Sequence, residues 1–175
     1  MSFSVIGIDP SSRAPAFALW PSKHVERVKV PGSGSERLCA LYQAAYRWTQ
    51  INARHDLRGI FIERPKGRFP SWPLWQSTGV LQVASVEGTR HLFDHAPTCF
   101  ELSPGEWRKE IGLKGNATKD EVIAWAHDLL TRVGFIHDDL TSDESDALAI
   151  AAAGHSLLTK GEDKNELRTE EPRAN

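Results

Sequence analysis

FSVIGIDPSS, residues 3–12, begins as an apolar run rich in β-branched residues and stops abruptly at Asp9-Pro10. A run this short is the length of a strand buried on both faces, and the Asp-Pro pair marks a turn. A buried strand therefore ends in a carboxylate. APAFALW at 14–20 and HVERVKV at 24–30 read as two more strands around the turn Pro21-Ser22-Lys23, and links this short favour antiparallel neighbours. After the Gly/Ser loop at 31–35, Leu38, Leu41, Tyr42, Ala45 and Trp48 recur at helical spacing, predicting a helix of about four turns. GIFI at 59–62 makes a fourth buried strand, Glu63 stands at its end, and Pro65 stops the ladder. Two strands end in acids.

Residues 64–75 mix Pro, Arg, Lys and aromatics without a period, and read as an exposed loop. A helix is expected from about Leu74 to Leu92, weakened by Gly79 and Gly88. Residues 98–102 form a short fifth strand. Ser103-Pro104-Gly105-Glu106 and Thr118-Lys119-Asp120-Glu121 each place an acid three residues after a hydroxyl, the capping-box signature of a helix start. The first helix should reach Ile111 and the second should stop at Gly134. A last helix should start near Thr141 or Ser142 and carry DESDALAIAAAGHSLL. From Lys160 onward the chain is polar and reads as a tail without structure. The element order predicts an α/β domain over residues 1–159, a mixed sheet with helices on both faces, followed by the tail at 160–175.

The 175 residues, 40% of them hydrophobic, suit one domain with its own core. Cys39 and Cys99 match no disulfide framework or zinc spacing and are read as buried thiols of a reducing compartment. The N-terminus has no signal-like apolar stretch and no run is long enough to span a bilayer, so a soluble, cytoplasmic protein is expected. A net charge of -2 argues mildly against nucleic-acid binding. Charge distribution argues the other way, because Arg64, Lys66 and Arg68 cluster beside one acid and Arg108, Lys109, Lys114 and Lys119 lie ahead of the last helix.

Asp143 and Asp146 are three apart in the first turns of that helix, so they share a face. The Ala-rich stretch behind them allows close packing on the sheet. If the sheet is the one ending in Asp9 and Glu63, four carboxylates converge. Hard cations such as Mg²⁺ or Mn²⁺ take such oxygen ligands. Two ions about 4 Å apart would activate water on one side of a phosphate and stabilise the leaving oxygen on the other, giving phosphodiester hydrolysis. Each acid alone has a simpler reading: Asp143 and Asp146 favour a helix N-terminus, and Asp9 suits a turn. Their combination is what points to metal.

VIGIDPSS, the acid in GIFIERP and SDESDALAIAAAGH together resemble the RuvC-type Holliday junction resolvases of the RNase H-like superfamily. The resemblance runs from about Phe3 to Leu158 and implies a five-stranded sheet in order 3-2-1-4-5 with strand 2 antiparallel. It implies a homodimeric crossover junction endonuclease cutting four-way DNA, with Asp9, Glu63, Asp143 and Asp146 as metal ligands for Mg²⁺ or Mn²⁺. Glu144 is the spare acid. The family's lysines fall near Lys109, Lys114 and Lys119, and GNATK makes Lys119 the best match for a catalytic lysine. Ser11, Ser12 and Arg13 after the first acid are further expected DNA contacts.

The family's aromatic after the strand-end acid has only a loose counterpart, since Lys66 comes first and Phe69, Trp72 and Trp75 arrive later. Phe69 and Trp72 are candidates for stacking on unpaired bases, with Arg64, Lys66 and Arg68 on phosphates. Trp75, at a helix start, is read as a packing residue. Other readings stay open: an RNase H-like nuclease acting on other branched DNA or structured RNA, a non-catalytic DNA-binding scaffold, or an actin-like nucleotide-binding domain. The last lacks a Gly-rich phosphate loop after Asp9.

Overall fold

Strand β1 (Ser4–Asp9) is the centre of a five-stranded sheet, flanked by β2 (Ala16–Trp20) on one side and β4 (Leu57–Glu63) on the other. β3 (His24–Arg27) and β5 (Cys99–Leu102) are the edges, so the order is β3-β2-β1-β4-β5. β2 runs antiparallel to β1 and β3, while β1, β4 and β5 are parallel. This is the expected order and the expected odd strand. The computed structural model describes residues 3–22, 24–65, 72–93, 96–135 and 140–169.

Period-two alternation sends successive side chains to opposite faces. Ile6, Ile8, Ile60 and Ile62 point to α1 (Gly34–Asn52) and α2 (Trp72–Thr89), where Leu41, Trp48 and Leu81 close the main core. On the opposite face Val5 and Phe61 meet Trp107 of α3 (Pro104–Glu110), Val122 of α4 (Lys119–Arg132) and Ile150 of α5 (Ser142–Thr169). Gly7 explains how close α5 lies. A Cβ there would stand 2.3 Å from the Ala147 carbonyl oxygen and 2.4 Å from the Ala151 nitrogen. Only glycine lets the strand and helix backbones meet at that distance.

Several boundaries differ from expectation. β2 starts at Ala16 because Pro15 has no N–H to give the ladder, although its carbonyl still accepts from Val28 N at 3.0 Å. β3 stops at Arg27, short of the expected Val30. The expected loop at 64–75 ends earlier, since α2 already includes Trp72. Gly88, read as weakening α2, is instead its contact with α1: a Cβ there would lie 2.0 Å from Thr49 Oγ1. Tertiary packing overrides propensity at that position.

Two further corrections concern the ends and the thiols. α5 runs to Thr169, past the expected tail start at Lys160. Extending a formed helix avoids the nucleation cost, and Lys160 is held by Glu110 of α3, which also accepts from Ser156 Oγ at 2.6 Å. Cys39 is exposed on α1 rather than buried. Cys99 is half-buried, and burial followed by the nearby Glu101 charge pushes its thiol up to about 12. No helix among the described residues is long and apolar enough to cross a membrane.

Candidate active site

Strand register assembles the site. Asp9 pairs with Ala16 and Ala16 with Arg27, so these three lie in one row across β1, β2 and β3. Ile8 pairs with Ile62 in the parallel β1–β4 ladder, which brings the next residues, Asp9 and Glu63, to the same end of adjacent strands. Asp9 shares a face with Gly7, Glu63 with Phe61 and Arg27 with Val25. That face is the one covered by α5.

α5 begins over this row. Thr141 and Glu144 cap it reciprocally: Thr141 N donates to Glu144 Oε2 at 2.9 Å and Glu144 N to Thr141 Oγ1 at 3.3 Å. The spare acid of the sequence is thus a structural cap. Asp143 and Asp146, on the adjoining face, are left for the sheet side. The same cap logic starts α4, whose Thr118–Glu121 box sets Lys119 in the first turn. Lys119 Nζ donates to Ser142 Oγ at 3.2 Å, tying the two helix starts together.

Electrostatics show how tightly the acids are gathered. The Asp9 carboxyl is held well above the usual carboxylate range, first by burial, then by repulsion from Glu63, Asp146 and Asp143, with Lys119 partly offsetting them. Asp146 is pushed up to about 6, again by burial first and Glu63 next, while Arg108 and Lys119 pull it back. Each of the four expected acids thus lies in the field of others. Among the described residues, however, no three His, Cys, Asp or Glu side chains are oriented to hold one ion as they stand. Two local bonds account for part of this. Asp143 Oδ2 is taken by Arg27 Nε at 3.0 Å, and Glu63 Oε2 accepts from the buried Trp107 Nε1 at 2.9 Å. The donor set nevertheless fits a hard divalent cation: oxygen-only, anionic, half-buried and mutually repelling, so that bound positive charge would relieve the strain.

Two neighbours of the acids, Trp107 and Arg27, escaped sequence reading, and a third, Arg108, was read only as one of a basic cluster. Trp107 sits in a fully buried position of α3, and a buried indole N–H requires an acceptor, which was the available signal. Arg108 follows it, with its guanidinium 4.8 Å from the Trp107 ring centroid, and it is Arg108 whose charge reaches Asp146. Arg27 gave no sequence signal, because its place depends on strand register.

The remaining expected contacts are dispersed. Lys109 lies against Gly115, and the Lys114 charge falls on Glu121. Arg64 pairs with Glu101 at 3.6 Å and Glu106 at 3.7 Å. Ser11 Oγ accepts from Arg13 N and Ala14 N at 3.3 and 3.2 Å, folding the turn after Asp9, and Ser12 faces a cleft of about 380 Å³ beside the starts of α1 and α2. Trp72 is 74% and Trp75 42% exposed in the first turns of α2. Within the protomer Trp75 is thus only partly covered. Lys66, Arg68 and Phe69 lie outside the described residues.

No protein-family model matches the chain, and no curated protein matches it in sequence. Solved structures do. Thermus thermophilus RuvC superposes with a TM-score of 0.69 at 18% identity, over 91% of this chain and 97% of that one. T. thermophilus RuvC in complex with a Holliday junction substrate gives 0.71 with the same identity and coverage. The yeast mitochondrial Holliday junction resolvase Ydc2 gives 0.51 at 11% identity, over 93% of this chain and 82% of that one. The chain has the RNase H-like fold of these RuvC-type resolvases.

Proposed function

We propose that the chain is a metal-dependent endonuclease that resolves four-way DNA junctions, with Asp9, Glu63, Asp143 and Asp146 as ligands of Mg²⁺ or Mn²⁺. The observation that carries this reading is the gathering of four carboxylates at one sheet end, with Asp9 desolvated among the other three. Folding has concentrated negative charge that costs stability on its own, and such a site gains purpose when cations bind. Bound cations would supply an activated water and Lewis acidity for phosphodiester hydrolysis.

The chain's own residues divide the remaining tasks. Trp107 Nε1 donates to one Glu63 oxygen and so orients the carboxylate. Lys119 and Arg108 place positive charge beside Asp9 and Asp146, where a phosphate would also be held. Ser11, Ser12 and Arg13 at the end of β1, together with Arg64, Lys66, Arg68, Lys109 and Lys114, are the proposed backbone contacts. Phe69 and the exposed Trp72 are the proposed stacking residues. Cutting two opposed strands requires two sites, hence a homodimer. An open groove of about 440 Å³ between α1 and α2, lined by Leu38, Cys39, Tyr42 and Val80, supplies apolar surface for one. Residues 1–159 are taken as the nuclease domain, acting in the cytoplasm.

Incubation with a synthetic four-way junction and Mg²⁺ or Mn²⁺ tests the proposal, with duplex DNA and RNA hairpins as competitors. Wild type should make paired cuts that Asp146→Asn abolishes. Folded wild type that leaves the junction intact in both metals, or that prefers the RNA hairpin, would sink it.

A further inference from the structure

Arg27 stands apart from the other cations of the site. In the cross-sheet row its strand neighbour, the fully buried Ala16, lies between it and Asp9. Its guanidinium Nε reaches Asp143 Oδ2 at 3.0 Å, the length of a charge-assisted hydrogen bond. The other Asp143 oxygen accepts from Ser142 Oγ at 3.3 Å. Both oxygens of this acid are thereby engaged.

The pair contributes little to folding. Its side chains are 39% and 29% exposed, and solvent screening leaves exposed ion pairs with little net stabilisation. Its consequence lies in charge. A guanidinium bonded to one acid of a site meant for cations is a competitor for that acid, and competition of this kind sets how much free cation the position requires.

We propose that Arg27 is the resident counter-cation of Asp143, a positioning residue that keeps this acid apart from the other three until a divalent cation displaces it. The cation position that uses Asp143 therefore fills at a higher concentration than the one centred on Asp9. Displaced, the guanidinium is free at the edge strand. The inference rests on the metal-site reading above and adds to it an order of filling.

Titration of the full-length protein with Mn²⁺, read by the electron paramagnetic resonance of the free ion, tests this without DNA or cleavage. Wild type should show a tighter and a weaker class, and Asp143→Asn should remove the weaker one. Arg27→Gln should tighten the weaker class about tenfold, the effect of removing one charge some 6 Å from a divalent ion in water. Arg27→Lys keeps the charge and should stay near wild type, and Lys29→Gln should change nothing. Circular dichroism verifies that each variant is folded. An unchanged or weakened second class in Arg27→Gln, or an equal shift in Lys29→Gln, overturns the inference alone. Wild type that binds no Mn²⁺ overturns it together with the nuclease reading.

Discussion

On one face of the sheet Ile6, Ile8, Ile60 and Ile62 meet Leu41, Trp48 and Leu81 of α1 and α2, whereas on the other Gly7, Ala16 and Ala18 meet Ala147 and Ala151 of α5. Large side chains hold the first interface at a distance and fill it. Small ones let the second close until backbones touch. That closeness positions chemistry, because α5 carries Asp143 and Asp146 over a row that ends in Asp9 and Glu63. The bulky face contributes stability, and the small-residue face fixes the geometry of the acids.

Substitutions of similar size on the two faces should therefore behave differently. Gly7→Ala forces a Cβ into the α5 backbone and should cost about 3 kcal/mol or more, while Ile8→Val on the opposite face should cost about 1 kcal/mol. Urea unfolding midpoints compare them. Equal costs would break the distinction between the faces. Gly7→Ala that still folds should also lose Mn²⁺ binding, since α5 must retreat.

Asp146→Asn reads the same face through its charge. Junction cleavage should fall at least about 100-fold, measured under single-turnover conditions. Without metal the variant should be more stable than wild type at pH 7. The Asp146 carboxyl is raised to about 6, so between about pH 4 and that value the folded chain binds a proton that the unfolded chain has released. Stability from this group is full below about pH 4 and is lost as pH rises through 6. The gain at pH 7 should be on the order of 1–2 kcal/mol, allowing for solvent screening of a partly exposed group. Thermal melts in a chelator across pH 4–8 check it, and Mg²⁺ should reverse the ranking.

Trp107→Phe removes the indole N–H from Glu63 while keeping an aromatic in the core. A loss of about 1–3 kcal/mol in stability and about tenfold in cleavage rate is expected from unfolding and kinetic measurements. At the far end of the scale, Trp72→Ala should leave stability within about 0.5 kcal/mol, because the ring is 74% exposed. Junction affinity in Ca²⁺, measured by gel shift, should fall about tenfold. An unaltered affinity would leave the start of α2 without a part in DNA binding.

The acids, the strands they end and the starts of α3, α4 and α5 were legible because their codes are local: apolar runs, strand-end residues and capping boxes read within a few positions. Sheet order came from the resemblance and agrees with the observed topology. Pairings that depend on register or tertiary contact were not legible. Arg27 reaches Asp143 only because Asp9, Ala16 and Arg27 fall in one row. Trp107 announces a need for an acceptor without naming Glu63. Lys109 and Arg108 are adjacent in sequence, yet the turn of α3 gives Arg108 alone a place in the field at Asp146. The continuation of α5 past Lys160 likewise depends on Glu110, which lies 50 residues earlier.

The most direct measurement is the anomalous scattering of crystals soaked with Mn²⁺. Two peaks among Asp9, Glu63, Asp143 and Asp146, with Asp143 turned from Arg27 toward the ion, are the predicted result. Soaked crystals with no peak between these four acids would contradict the account.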